Sequence, residues 1–312
     1  MKFEGANPTG SFKDRGMTVG VSIARASGFR ATIVASTSNT AASVAAYSAR
    51  AGMECFVVVP KGKVARGKVA QVVLHGAKIL EIEGFFDDAL KSVLENVEKL
   101  TELGVYPLNS FNPWRLEGQK TIAFEIFDDV GIPDLVIVPV GNAGNIYAIW
   151  KGFEELRQLG LIDSVPRMVG VQASRSAPLY LTWIKRSREL VVVENPETIA
   201  SAIRIGKPVN WLKAIKAVEE SKGFFVAVDD DEILEAQREL ARRGIGVEPA
   251  SAASYAAYRK LLEMKAIDRD ETVVLVATGH ALKDPDTPMK FFESITIRSP
   301  SELIEVLRGT KG

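Results

Sequence analysis

Residues 135–145 read Leu-Val-Ile-Val-Pro-Val-Gly-Asn-Ala-Gly-Asn, an apolar run that passes directly into a glycine-rich turn. The run is short and rich in β-branched residues, which predicts a buried strand over residues 135–140. A helical pattern follows over residues 146–159. Strand–turn–helix units of this kind build parallel sheets that carry helices on both faces.

Similar runs elsewhere in the chain predict two such sheets. The strands of a smaller sheet are expected at residues 31–36, 55–59, 78–82 and 105–108, with helices at 40–51, 64–75 and 87–101. The strands of a larger sheet are expected at residues 135–140, 168–172, 224–228 and 272–277. The predicted fold class is α/β, with two doubly wound domains and mostly parallel sheets. The small domain is predicted at residues 28–122, and the large domain at residues 1–27 plus 123–312.

Two further helix starts have recognisable caps. Asp229 and Glu232 have the spacing of a capping box, which opens a predicted helix that ends at Gly244. Ser299 and Glu302 repeat that spacing before a final predicted helix.

Composition excludes several classes of function. The 312 residues carry 39 basic and 39 acidic side chains, so no net charge favours nucleic acid or a membrane surface. No apolar run approaches the roughly 20 residues that span a bilayer. Cys55 is the single cysteine and lies in an apolar strand pattern, which disfavours thiol catalysis and excludes a disulfide within the chain. With only His75 and His280 beside it, a zinc site is not expected. We expect a cytoplasmic protein.

The glycine-rich turn of residues 141–145 predicts a phosphate site. Glycines allow successive backbone N–H groups to point into one concavity, and the following helix adds the partial positive charge of its N-terminus. A plain connector is the alternative. The spacing differs from the dinucleotide fingerprint, so a single phosphate fits better than a dinucleotide.

Residues 7–16 read Asn-Pro-Thr-Gly-Ser-Phe-Lys-Asp-Arg-Gly, and Lys13 is the candidate nucleophile. Ser11 is a candidate N-cap, with a helix that starts around Lys13. An ammonium at the positive end of a helix is disfavoured, which favours the neutral amine that forms a Schiff base with a carbonyl cofactor. A lone lysine in this position is more often simply solvated. The other loops favour the nucleophile because together they supply contacts for pyridoxal phosphate.

Three more polar loops follow predicted strands; two of them are the loops of residues 36–40 and 277–280. Ser36, Thr37 and Thr40 offer hydroxyls and helix N–H groups to a carboxylate, and Asn39 could bond a phenolic oxygen; an ordinary cap cluster is the alternative. Thr278 could bond a neutral pyridine nitrogen. The nearby His280 is expected to be a structural hydrogen-bonding residue.

Residues 109–115 read Asn-Ser-Phe-Asn-Pro-Trp-Arg and close the small sheet. Arg115 suits bidentate binding of an anion, particularly a phosphate. A surface ion pair is the alternative. Beside a second anion-binding loop, Arg115 becomes a candidate for a phosphate on the substrate itself.

These segments, together with residues 202–211 and 248–253, resemble threonine synthase over essentially the whole chain. The resemblance implies a fold type II (tryptophan synthase β-like) pyridoxal 5′-phosphate enzyme that converts O-phospho-L-homoserine and water to L-threonine and phosphate, and it implies a homodimer. Lys13 would join the cofactor covalently and move the protons of the substrate. The implied cofactor-binding residues are Lys13, Phe12, Asn39, Gly141, Asn142, Ala143, Gly144, Asn145 and Thr278. The implied substrate-binding residues are Ser36, Thr37 and Thr40 for the carboxylate and Asn109, Ser110 and Arg115 for the phosphate, with Asn142 as a further candidate.

Two departures from the family pattern are relevant. Ser38 stands where the family has glycine, which implies a strained or shifted loop. Most of the segment that precedes the lysine motif in typical members is absent, so we expect an exposed apolar edge and reduced stability or dependence on a dimer partner. Two alternatives stay open at this point: a threonine or serine dehydratase, and a shortened paralogue that binds pyridoxal phosphate without turnover.

Overall fold

The computed structural model describes residues 1–62, 66–84, 86–289, 294–297 and 299–309. Its strands are β1 (Lys2–Phe3), β2 (Ala31–Ala35), β3 (Glu54–Pro60), β4 (Lys78–Ile82), β5 (Val105–Pro107), β6 (Leu135–Pro139), β7 (Arg167–Ala173), β8 (Phe224–Val228) and β9 (Val273–Ala277). Its α-helices are α1 (Lys13–Ala26), α2 (Asn39–Ala51), α3 (Arg66–Leu74), α4 (Phe86–Leu94), α5 (Val97–Glu102), α6 (Pro113–Gln119), α7 (Thr121–Val130), α8 (Gly144–Gln158), α9 (Pro178–Ile184), α10 (Trp211–Glu220), α11 (Asp230–Arg242), α12 (Pro249–Glu263), α13 (Asp286–Met289) and α14 (Pro300–Gly309). Short 3-10 helices lie at Glu4–Ala6, Ser201–Ile203 and Ala281–Lys283.

The strands form two parallel sheets. The larger sheet has the order β1-β9-β6-β7-β8, and the smaller has the order β4-β3-β2-β5. Every described strand pairing is parallel, which confirms the predicted α/β class. All strands within residues 28–122 belong to the smaller sheet, and all others belong to the larger. The division into two domains at these boundaries stays a prediction.

Strand β6 shows why the larger sheet carries helices on both faces. Val136 and Val138 belong to a buried cluster that also contains Ile149 of α8. Leu135 and Ile137 belong to a second cluster, together with residues of α12. Successive side chains of a strand point to opposite faces, so an unbroken apolar run is what a doubly covered strand requires.

Lys13 lies where the cores of the two sheets meet. Its predecessor, Phe12, belongs to the cluster of the larger sheet. Met17 and Val21, one and two turns further along α1, pack in a cluster with Val34 and Val57 of the smaller sheet. Helix α1 therefore begins at the junction between the sheets.

The structure corrects three of the sequence-based expectations. Strand β1 was not predicted, because two residues are too few to show a pattern. The helix predicted at residues 87–101 is two helices, and the Asn96 amide donates to the Ser92 carbonyl oxygen (2.8 Å) between them; asparagine competes with helical backbone bonding in this way. Ser11 is not the N-cap of α1: Phe12 occupies that position, and the buried Ser11 hydroxyl has no partner among the described residues.

Other expectations at helix ends are confirmed. Helix α1 begins at Lys13, and the Asp229 N–H donates to the Glu232 carboxylate (2.6 Å) in the predicted capping box of α11. The Glu302 N–H contacts the Ser299 hydroxyl oxygen (3.4 Å) at the start of α14. Residues 63–65, at the start of the helix predicted over 64–75, lie outside the described residues.

Candidate active site

The loops that follow β2, β5, β6 and β9 all reach one cavity of about 260 Å³. Ligand sites in parallel sheets gather at the carboxyl ends of strands, so this placement follows from the topology. Every residue that the sequence proposes for cofactor or substrate lines this cavity: Phe12, Lys13, Ser36, Thr37, Asn39, Thr40, Asn109, Ser110, Arg115, Gly141, Asn142, Ala143, Gly144, Asn145 and Thr278.

The Lys13 ammonium is disfavoured in this cavity. Burial is the largest cause, the positive charge of Arg115 adds to it, and the carboxylate of Glu248 opposes it, so that the pKa of Lys13 falls from its ordinary value near 10.5 to about 7. Its Nζ lies 4.0 Å from the centroid of the Phe12 ring. A substantial fraction of this amine is therefore neutral, and nucleophilic, at physiological pH.

The turn before Lys13 is fixed by its neighbour Asp14. The buried Asp14 carboxylate accepts hydrogen bonds from the Thr9 N–H (2.7 Å), the Thr9 hydroxyl (2.6 Å) and the Ser43 hydroxyl (2.6 Å). Since Ser43 belongs to α2, these bonds join the start of α1 to the helix that follows the Ser36–Thr40 loop. Charge-assisted bonds of this kind hold a backbone more strongly than neutral ones.

Arg115 reaches the lysine because α6 and α1 pack closely. A Cβ atom on Gly118 would lie only 1.9 Å from the Arg15 carbonyl oxygen, so only glycine permits this approach. Arg115 is 4 % exposed; its Nη1 donates to the Leu108 carbonyl oxygen (3.2 Å), and its buried Nε has no hydrogen-bond partner in the described part of the chain. Burial lowers the pKa of Arg115 to about 10.

The alternative of a surface ion pair for Arg115 is wrong, because it is buried and forms no salt bridge with any described residue. A buried cation without a counter-charge is costly unless an anion accompanies it. Asn109, which was expected beside it, uses its amide differently: its side chain bonds both the N–H and the carbonyl oxygen of Ala35, at 3.1 and 2.9 Å.

The glycine-rich turn, residues 141–145, has the form of an anion cradle. A Cβ atom at Gly141 would lie 2.9 Å from the Ala202 carbonyl oxygen, so the turn needs glycine there. Ala143 adopts the left-handed conformation, with φ of 65°, immediately before α8. Both polar atoms of the Asn145 side chain are buried without a partner among the described residues. The Nδ2 of Asn145 is an unsatisfied donor near a helix N-terminus, which fits a phosphate, and so this turn fits the phosphate of pyridoxal phosphate.

The serine- and threonine-rich loop before α2 is compact. The Ser38 N–H donates to the Ser36 hydroxyl (3.3 Å), and Ser38 has φ of −144°. Because this φ is negative, Ser38 does not adopt the left-handed conformation that favours glycine. The other expectation, a shifted loop, stays a prediction.

Glu248 is a site residue to which the sequence gave no role. It is 4 % exposed and lines the cavity; its carboxylate accepts from the Asn39 amide (2.9 Å) and the Thr278 hydroxyl (3.0 Å). Burial raises the pKa of Glu248, against the opposing effects of Asn39, Thr278 and Lys13. The sequence feature that could have drawn attention to Glu248 is its position immediately before Pro249, where an alanine-rich helix begins.

Two residues keep structural roles, as expected. His280 does not line the cavity; its Nδ1 accepts from the Leu282 N–H (3.1 Å) and its ring contacts Phe3. Cys55 is buried in β3, and burial raises its thiol pKa to about 11, which disfavours the reactive thiolate. The described residues contain no cluster of metal-ligating side chains and no helix long and apolar enough to cross a membrane.

Residues 1–279 match the family model described as pyridoxal-phosphate dependent enzyme, and the chain belongs to that family. The predicted cofactor is thereby confirmed. Within the family, its curated relatives include the threonine synthase of Methanocaldococcus jannaschii, 57% identical over 94% of this chain and 72% of the relative. The threonine synthase of Mycobacterium tuberculosis is 52% identical over 95% of this chain and 80% of the relative. These likenesses confirm the predicted resemblance to threonine synthase.

Solved structures confirm the fold type II architecture. The processed form of threonine deaminase isoform 2 from Solanum lycopersicum has a TM-score of 0.77 at 23% identity, over 99% of this chain and 77% of that one. Maize serine racemase has a TM-score of 0.76 at 18% identity, over 97% and 85%. At this identity the likeness concerns the fold alone.

Proposed function

We propose that this chain is a threonine synthase, which converts O-phospho-L-homoserine and water to L-threonine and phosphate. Arg115 carries the proposal: it is a buried guanidinium beside Lys13, without an ionic partner among the described residues. The phosphate of the substrate would supply the missing counter-charge. A dehydratase, whose leaving group is hydroxide, has no use for this cation.

The cofactor phosphate would lie in the glycine-rich turn, against the Asn145 amide and the N-terminus of α8. Thr278 and Asn39 would approach the cofactor ring, with Glu248 behind both of them. When bound, pyridoxal phosphate supplies an aldehyde that accepts an amine and a conjugated ring that stores electrons. Phe12 packs beneath Lys13 and limits where its amine can lie.

Residues of the chain would bind the substrate and transfer its protons. The hydroxyls of Ser36, Thr37 and Thr40 would bind the substrate carboxylate, and Arg115 with Ser110 would bind its phosphate. Asn109 would support this phosphate site by holding its loop to Ala35. Released from the cofactor by the substrate amine, Lys13 Nζ would accept the proton of the substrate α-carbon and later a proton of the β-carbon; its pKa of about 7 favours the neutral amine that this requires. Holding the phosphate would orient the bond between the γ-carbon and its leaving group, and would make the binding energy of the phosphate available for the reaction.

The test is turnover of O-phospho-L-homoserine, followed through both phosphate and threonine. Arg115→Gln is expected to lower kcat/KM by about 100-fold or more, since one charge-assisted hydrogen bond contributes about 1.5–3 kcal/mol and guanidinium–phosphate pairs are often bidentate. It should keep the visible absorbance of bound cofactor. The control is Arg175→Gln, at an exposed arginine that lines a different cavity.

Each alternative activity has its own signature. Ammonia released from threonine, without phosphate released from O-phosphohomoserine, would show a dehydratase. Bound cofactor colour without either product would show a binding protein. Full activity of Arg115→Gln would contradict the assigned role of this guanidinium.

We also propose a cytoplasmic homodimer in which residues 28–122 form the small domain and residues 1–27 plus 123–312 form the large one. The distribution of strands between the sheets supports the division, and a single buried thiol suits a reducing compartment. The substrate is a small molecule. Light scattering after size exclusion tests the dimer, and a monomeric mass would contradict it.

A further inference from the structure

Asn210 joins two loops that belong to different sheets. Its side-chain Nδ2 donates to the Ser110 carbonyl oxygen at 3.0 Å and to the Asn142 carbonyl oxygen at 3.3 Å. Its backbone N–H donates to the same Asn142 oxygen at 3.2 Å. Ser110 lies in the loop after β5 of the smaller sheet, and Asn142 lies in the glycine-rich turn after β6 of the larger one.

The Asn210 side chain does not cap the helix that it precedes. Asn210 occupies the N-cap position of α10, but its side chain makes no capping hydrogen bond. It is 5 % exposed and does not line the cavity. The Nδ2 atom of this one amide group therefore bonds a carbonyl oxygen in each of the two loops.

We propose that Asn210 is a positioning residue that couples the two anion-binding loops, so that an anion held at one loop strengthens the hold on an anion at the other. The loop of residues 108–112 includes Ser110 and contacts Arg115 through the Leu108 carbonyl oxygen. The assignment of one loop to the cofactor and the other to the substrate phosphate rests on the proposed function.

Such coupling has a chemical purpose. Phosphate binding energy can orient a substrate only if its binding loop is fixed relative to the reacting centre, and small misplacements are costly. A single amide that bonds a carbonyl oxygen on each side fixes that relation directly. Because coupling between two sites is reciprocal in free energy, it can be observed from the cofactor side.

The experiment measures how fast the cofactor leaves the holoenzyme. Pyridoxal phosphate released into an excess of an unrelated apoenzyme is followed with and without saturating inorganic phosphate as the probe. Phosphate that competes only for the empty cofactor site cannot change this release rate. In the parent, phosphate is expected to slow release about five-fold or more, the scale of ordinary coupling between sites.

Asn210→Ala should bring the two release rates together, so that their ratio approaches one. Asn210→Asp, which keeps the shape but offers no side-chain donor when ionised, should do the same and serves if the alanine variant does not fold. The matched control is Ser221→Ala, at the other end of α10. Ser221 is buried to a similar degree and also makes two side-chain hydrogen bonds, to the Met168 N–H and the Val218 carbonyl oxygen, but neither reaches an anion-binding loop.

A purely structural role for Asn210 would lower stability in both alanine variants and leave the ratio of release rates unchanged. That result would overturn the proposal, as would a parent in which phosphate does not slow release. Threonine formation by the parent is scored separately, so failure of the proposed function and failure of the coupling give different results.

Discussion

Replacing Lys13 with methionine is expected to stabilise the cofactor-free protein. Methionine keeps the length of the side chain and removes an ammonium whose pKa is lowered from near 10.5 to about 7, mainly by burial. Each pH unit by which a pKa is displaced corresponds to about 1.4 kcal/mol. At pH 6, where Lys13 is charged in both folded and unfolded states, the gain in unfolding free energy should approach about 5 kcal/mol by this measure.

The gain should shrink as the pH rises. Above pH 7 the folded protein holds Lys13 neutral while the unfolded chain still binds a proton, so the parent itself becomes more stable with pH. At pH 9 the advantage of methionine should fall to about 2 kcal/mol. A buried lysine that lowers stability is consistent with a functional role, because stability and activity often conflict at active sites.

Urea denaturation of the apoprotein at pH 6 and pH 9 measures both values. Lys99→Met, at an exposed lysine of α5, is the control and should change stability by less than about 0.5 kcal/mol at either pH. A gain for Lys13→Met that is no larger than that of the control, or one that grows with pH, would refute the reasoning.

Three further substitutions test the surroundings of the site. Ala143→Gly should raise the unfolding free energy by about 1 kcal/mol in thermal denaturation, because it relieves a positive φ. Ala148→Gly, inside the helix α8 that follows, should lower it. Asp14→Asn should cost about 2–4 kcal/mol in urea denaturation, because three hydrogen bonds lose their charged acceptor; an unchanged midpoint would count against that network. Glu248→Gln should move the pH dependence of cofactor recombination to lower pH, because the Glu248 charge raises the pKa of Lys13; a shift to higher pH in stopped-flow absorbance would contradict this.

The sequence predicts the location of the site because the topology of a parallel sheet determines where the loops after its strands lie. Once parallel strands are recognised, the loops after them must lie at the same edge of a sheet. Polar residues after β2, β5, β6 and β9 could therefore be grouped before any coordinates. Strand β1 was not predicted because two residues show no periodicity. Ser11 was predicted as the N-cap of α1, but Phe12 occupies that position without a side-chain capping bond.

The burial and the hydrogen-bond partners of individual side chains could not be predicted from the sequence in this way. Arg115 is buried where α6 packs against α1 through Gly118, a contact between helices about a hundred residues apart in sequence, and it has no ionic partner among the residues that the structure describes. Glu248 meets Asn39 across 209 positions, so no local pattern shows it. Asn210 looked like part of a family motif, and its bonds to two loops are visible only in three dimensions.

The central claim is that Lys13 carries the cofactor, and borohydride reduction of the holoprotein tests it most directly. Reduction fixes the bond between lysine and cofactor, and peptide mass spectrometry then locates the added pyridoxyl phosphate group. We expect the group on the peptide that contains Lys13, and its loss in Lys13→Ala together with turnover. A label on another lysine, or threonine formation that survives in Lys13→Ala, would contradict the assignment.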